Sequence, residues 1–107
     1  MRLEKLLDFL KSNPNDTFIL FALAKEYEKM GDDTHAGIYY QKLLEIDEKY
    51  VGAYYHLGKL QERTGDAPTA FTTYKKGMQI ARQIGDDHAY SELAGAKLNL
   101  GDDEDFE

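Results

Sequence analysis

Catalysis in small proteins is most often carried by cysteine, histidine, serine or paired carboxylates. The 107 residues offer few of these in a working arrangement. There is no cysteine, which excludes a thiol nucleophile, a thiolate metal site and a disulfide. His35, His56 and His88 fall in different segments, without the close helical spacing that builds a two-histidine metal site, so they read as surface or groove residues. The adjacent acids Asp32-Asp33, Asp86-Asp87 and Asp102-Asp103 lack the order of a calcium loop, which needs acids at alternating positions, then glycine and a distant glutamate. Helix capping accounts for them better. Ser12 and Ser91 have no evident base partner, and neither a phosphate-cradling glycine loop nor a nucleophile elbow is present. The expectation is a protein that is not an enzyme and uses no metal or cofactor.

Composition narrows the alternatives. With 20 acidic against 13 basic residues the formal net charge is −7, which argues against nucleic acid as a partner, since phosphate backbones are held by clustered Lys and Arg. Hydrophobic and aromatic fractions of 42% and 12% are those of a folded chain. The longest unbroken apolar run, Phe18 to Ala24, is far short of the roughly 20 residues that span a bilayer. The amino terminus carries Glu4 and Asp8 within an amphipathic pattern and does not read as a leader. A cytoplasmic protein without a membrane partner is expected.

The elements that would position any binding residues emerge from an internal period. Leu23 and Leu57, Lys25 and Lys59, Glu28 and Glu62, Gly31 and Gly65, Asp32 and Asp66, Ala36 and Ala70, Tyr40 and Tyr74, Lys42 and Lys76, and Ile46 and Ile80 are identities at an offset of 34. A period of this size marks a helical array or solenoid. Within it, Leu20, Leu23, Ala24, Tyr27 and Met30 fall at helical steps, and Ala36, Tyr39, Tyr40, Leu43, Leu44 and Ile46 repeat the pattern after a break. The break is Gly31-Asp32-Asp33, and Gly65-Asp66 and Gly101-Asp102 repeat it. Glycine there can end one helix in the left-handed conformation, while the aspartate caps the next. Pro68 suits the first turn of a helix. Each unit is therefore expected to be two antiparallel helices joined by a short turn.

These units resemble the tetratricopeptide repeat family, whose pattern is W-x2-L-G-x2-Y, then A-x3-F, then P. The second unit has Tyr54-x2-Leu57-Gly58-x2-Gln61 and Ala70-x3-Tyr74, and the first has Leu20-x2-Leu23-Ala24-x2-Tyr27 and Ala36-x3-Tyr40. The first-position Trp is missing from both, Gln61 replaces a Tyr, and Glu48 and Arg82 stand where Pro closes the pattern. The fold class implied is an all-α, helical-hairpin repeat solenoid of about six antiparallel helices. Residues 1–14 read as the second helix of a truncated repeat, 17–50 and 51–84 as full repeats, 85–101 as a capping helix and 102–107 as an acidic disordered tail. Gly101 lies 36 after Gly65, so two residues have been added, most simply by lengthening a helix through Arg82-Gln83-Ile84.

The resemblance implies a function in protein–protein interaction, with the first helix of each pair lining a concave groove that takes a segment of a partner. The groove positions would include Phe18, Phe21, Ala22, Lys25, Glu28 and Lys29 in the first unit. The second would supply Gly52, Tyr55, His56, Lys59, Glu62 and Arg63, and the cap His88, Ser91 and Glu92. Lys25 and Lys59, sharing a repeat position, would lie one above the other and receive carboxylates, with Phe21 and Tyr55 holding apolar side chains. A plain solvated face, with Lys25 to Lys29 and Lys59 to Arg63 following helical spacing, remains the alternative for these residues. The carboxylate clamp of chaperone-binding members is missing, because its positions hold Phe21, Lys25, His56, His88 and Glu92. A homodimer formed through the incomplete terminal units, with Leu6, Phe9, Leu10 and Leu98 available, is the alternative function. The tail carries five of the 20 acids, leaving 15 acids against 13 bases elsewhere, and would compete for a mildly basic groove.

Overall fold

Three glycine–aspartate turns set the architecture. Gly31, Gly65 and Gly85 take φ values of 81°, 89° and 76°, in the left-handed region. The following aspartate N–H donates back to the helix just ended, from Asp32 to the Tyr27 carbonyl, Asp66 to Gln61 and Asp86 to Ala81, each at 2.9 Å. That closes the helix and satisfies a carbonyl that would otherwise lack a partner. The same aspartate then opens the next helix, its carboxylate accepting from the N–H of His35, Thr69 and Ala89 at 3.1, 3.2 and 2.9 Å. Such a cap contributes about 1 kcal/mol. One dipeptide thus ends a helix and begins another, and the chain reverses in the smallest space available.

The computed structural model describes residues 2–106. They form α1 (Arg2–Ser12), α2 (Thr17–Lys29), α3 (Asp33–Ile46), α4 (Gly52–Arg63), α5 (Ala67–Ile84) and α6 (Asp87–Leu100), followed by a 3-10 turn, Asp103–Phe106. Among the described residues there is no strand, and the protein is all-α, a series of helical hairpins. No helix is long and apolar enough to cross a membrane. The chain divides into two units, Met1–Glu48 and Lys49–Glu107.

In the first unit α2 and α3 form the hairpin, and Leu20, Leu23, Ala24, Ala36, Tyr40 and Leu43 are fully buried. The opposite side of α2 is covered by α1: Leu6 joins Ile19, Ala22 and Leu23, with Leu3, Leu7, Leu10, Tyr27 and Tyr39 packed around them. Met30 and Ile46, counted on the apolar faces from their spacing, are exposed, as both stand at helix ends where the buried face runs out.

In the second unit α4 packs on α5, and α6 packs on both. Close approach requires glycine at two points. A Cβ on Gly58 would lie 2.2 Å from Tyr74 Cε1, and one on Gly77 would lie 2.7 Å from Tyr54 Cβ. Helix α5 has 18 residues against 14 in α3 and runs through Arg82-Gln83-Ile84 before its glycine.

The acidic tail departs from expectation. Asp103–Phe106 is a 3-10 turn rather than disordered chain, and Glu107 lies outside the described residues. The Phe106 ring stacks on Phe71 with centroids 4.5 Å apart, and Asp103 pairs with Lys97 at 3.4 Å. One aromatic contact and one ion pair offset the repulsion among the acids.

Candidate functional site

Each hairpin carries the same device on its first helix. In the first unit, the Phe21 ring meets Tyr40 edge-on, with centroids 6.0 Å apart and planes at 68°. Tyr40 has a fully buried ring, yet its hydroxyl donates to the Glu28 carboxylate. In the second unit, Tyr55 leans on Tyr74 with centroids 6.5 Å apart, and the Tyr74 hydroxyl donates to Glu62. Burial of the Tyr74 ring, together with the hydrogen bond to and negative charge of Glu62, pushes the phenol far above its ordinary value. It therefore remains a neutral donor throughout the physiological range. Glu28 and Glu62 are in this way committed to the interior tyrosines of their own hairpins.

Around that device the expected groove residues fall unevenly. Phe18 is 72% exposed at the start of α2, where its N–H is tied to the Asp16 carboxylate at 3.0 Å. Lys25 and Lys29 are exposed farther along the helix, and Phe21 is half-buried. Ala22, expected in the groove, is buried against Leu6 of α1. In the second unit Tyr55, His56 and Lys59 are half-buried and form one cluster. The rings of Tyr55 and His56 meet edge-on at 5.8 Å, Lys59 Nζ lies 5.6 Å from the Tyr55 centroid, and the same ammonium is 3.7 Å from Glu62. Arg63 is exposed at the end of α4, and His88, Ser91 and Glu92 are exposed on α6. The cluster presents a cation, two rings and a carboxylate that is already occupied. That set suits binding a partner's apolar and anionic groups rather than bond-making. Among the described residues no group of His, Asp and Glu is arranged to hold a metal ion.

Of the apolar residues set aside for a symmetric mate, Leu6 is buried in the first unit and Leu10 is half-buried. Phe9 and Leu98 are exposed, at 57% and 72%.

Two features escaped sequence reasoning. The tyrosine–glutamate ties were accessible in principle, since Glu28 and Tyr40, and Glu62 and Tyr74, repeat together at the same separation. The contacts of α6 were not, because Tyr90 and Lys97 lie beyond the two full repeats. There the Arg82 guanidinium donates to the Tyr90 hydroxyl at 2.7 Å, and Lys97 Nζ lies 4.7 Å from the Phe71 centroid.

Comparison with known proteins agrees with this architecture. Residues 19–50 match the family model described as tetratricopeptide repeat. A crystal structure of a tetratricopeptide repeat domain protein from Salinibacter ruber is 41% identical, with 86% of this chain and 99% of that one covered and a TM-score of 0.76. A solution structure of a tetratricopeptide repeat domain protein from the same organism is 40% identical, covering 88% and 95% of the two chains with a TM-score of 0.79. A solution structure of a protein from Bordetella parapertussis is 26% identical over 92% of this chain and 85% of that one, with a TM-score of 0.80. No curated protein sequence matches significantly. With the 34-residue period, the glycine–aspartate turns and the helical hairpins, these likenesses establish that the chain belongs to the tetratricopeptide repeat family.

Proposed function

We propose that this protein is a cytoplasmic binding module that captures an extended, partly acidic segment of a partner protein on the first helices of its repeats. Tetratricopeptide repeats are typically non-enzymatic interaction modules, and the reading concerns how this one binds. Phe18, Phe21, Lys25 and Lys29 on α2, and Tyr55, His56, Lys59 and Arg63 on α4, would supply the contacts. The observation that carries it is the repetition of one device: an aromatic ring braced on an interior tyrosine, with a lysine one turn away, in both hairpins. Bracing fixes the ring before a ligand arrives, which lowers the entropic cost of binding. The Tyr40 and Tyr74 hydroxyls also hold Glu28 and Glu62 in place, and a partner's carboxylate would share Lys59 with Glu62, which lies 3.7 Å from its ammonium.

The test is selection from a peptide library displayed on phage, at low and at high salt. Enrichment of segments that combine acids with apolar residues, weakened by salt, is the expected result. Enrichment of basic segments, or no enrichment, would sink the reading.

A second reading, self-association through terminal elements, draws on the exposure of Phe9 and Leu98. Sedimentation of wild type against Phe9→Glu and Leu98→Glu separates the two. A tight dimer lost in either variant favours self-association, and a monomer throughout removes it.

A further inference from the structure

The acidic tail does not trail into solvent, and the surface it covers has its own chemistry. A cavity of about 270 Å³ opens between α5 and α6. Lys75 and Arg82 border it from α5, and Tyr90 and Lys97 from α6. Three cations gathered at one cavity stand out in a chain with a net charge of −7. Arg82 is held in place, its guanidinium carbon 4.8 Å from the Tyr90 centroid and its nitrogen 2.7 Å from the Tyr90 hydroxyl. Lys97 is held too, with its side chain 19% exposed and its ammonium against the Phe71 ring. Among the described residues lining the cavity, the carboxylate is Asp103, and it comes from the tail.

The tail is built to reach this surface. Gly101 has φ 148°, where a side chain is strained, and a Cβ there would lie 2.6 Å from Asp105 Oδ2 and 3.2 Å from the Phe106 ring. The Asp105 carboxylate accepts from the Asp102 N–H at 2.9 Å and closes the turn. The turn sets Asp103 against Lys97 and Phe106 on Phe71 at once. Lys97 therefore serves both halves of the contact, as ion-pair partner of the acid and as cation on the aromatic platform.

We propose that the α5–α6 surface is a second docking site, specific for a partner segment in which acids precede an aromatic residue, and that residues 103–106 are its resident, displaceable occupant. The argument for that partner is complementarity: the tail shows which chemistry the surface accepts, and the cavity retains Lys75 and Arg82 for further carboxylates. The tail in cis acts at an effective concentration on the order of millimolar, so it filters out weak ligands and yields to strong or multivalent ones.

The experiment measures fluorescence anisotropy of a dye-labelled peptide, Asp-Asp-Glu-Asp-Phe-Glu, with the full-length chain. Phe106→Ala and Gly101→Ala each unseat the tail, the first by removing its anchor and the second by straining its hinge, without altering the receiving surface. Both are expected to bind the peptide at least about tenfold more tightly than wild type. Adding Lys97→Gln or Arg82→Gln to Phe106→Ala should cost most of that gain, whereas Lys5→Gln on α1, which removes the same charge, should not. Replacing the peptide's Phe by Ala should abolish binding. Equal affinity of wild type and both unseated variants, or indifference to Lys97→Gln, overturns the proposal. A dimer of the wild type that dissociates on Phe106→Ala overturns it in favour of tail exchange between copies. Circular dichroism confirms that each variant is folded.

Discussion

The two hairpins share their turns, their buried tyrosines and their tied glutamates, yet fill their interiors differently. Leu20 and Leu43 in the first correspond by the 34-residue offset to Tyr54 and Gly77 in the second. One pair divides its volume evenly, and the other puts nearly all of it on one side, with the Tyr54 side chain over the missing Cβ of Gly77. Tyr27 and Tyr39 correspond likewise to Gln61 and Thr73. The tyrosines stack at 5.6 Å with planes 7° apart, whereas the Thr73 hydroxyl donates to Gln61 Oε1 at 2.6 Å. What recurs from one unit to the next is a close-packed interior with its polar groups satisfied, while the residues that achieve it change in pairs.

A double-mutant cycle puts this to its hardest test. Gly77→Leu alone should destabilise the protein by about 3 kcal/mol or more through overpacking against Tyr54, and Tyr54→Leu alone should open a cavity costing about 2 kcal/mol. Combined, they recreate the first hairpin's pair, and denaturant unfolding should show a favourable coupling of about 1–3 kcal/mol. Additive losses would mean that the hairpins do not fill space by the same rule.

Much of this fold was legible in the sequence, and the reasons are local. Gly31-Asp32 and Gly65-Asp66 encode both ends of a turn in two residues, so helix boundaries followed from residue type. Ala22 was misplaced because its side depends on α1, which belongs to no complete repeat; only the packing of Leu6 reveals which flank of α2 is covered. The tail was misread because its five acids dominate any compositional reading, while Phe106 and its partner Phe71, far away in sequence, decide the outcome. Of the candidate site, the residue types were visible and their bracing was not, since an edge contact on a buried ring has no sequence signature beyond the repeat itself.

The tied glutamates offer a comparison of smaller effect. Tyr40→Phe and Tyr74→Phe should each cost about 1 kcal/mol, because both hydroxyls make the equivalent hydrogen bond. Tyr74 also predicts an alkaline limit. Its phenol is raised in the folded protein, so its contribution is complete below the unfolded value of about 10 and is lost as pH rises beyond it. Unfolding followed from pH 8 to 11.5 should show stability falling above about pH 10, less steeply in Tyr74→Phe; parallel curves would contradict the burial argument.

The caps give a comparison of similar size. Asp66→Ala and Asp86→Ala should each lower stability by about 1 kcal/mol, and Asp32→Ala should lower it too, measured by thermal unfolding. Asp32 is the most informative, as its carboxyl lies below the ordinary aspartate value, chiefly through the backbone hydrogen bond from His35. Its stabilisation is present above the unfolded value of about 3.9 and disappears as pH falls through the depressed folded value. The difference between wild type and Asp32→Ala should therefore narrow as pH falls below about 3.9, and a constant difference would assign the cap's effect to something other than charge.

The function rests on the claim that the equivalent lysines of the two hairpins receive a partner's carboxylates. Its most direct measurement is the affinity of a library-selected peptide for wild type and for Lys25→Ala/Lys59→Ala, by calorimetry at 50 and 500 mM salt. The account predicts that the double change weakens binding by about tenfold or more at low salt and that this difference shrinks at high salt. Equal affinity for the two proteins, unaffected by salt, would contradict it.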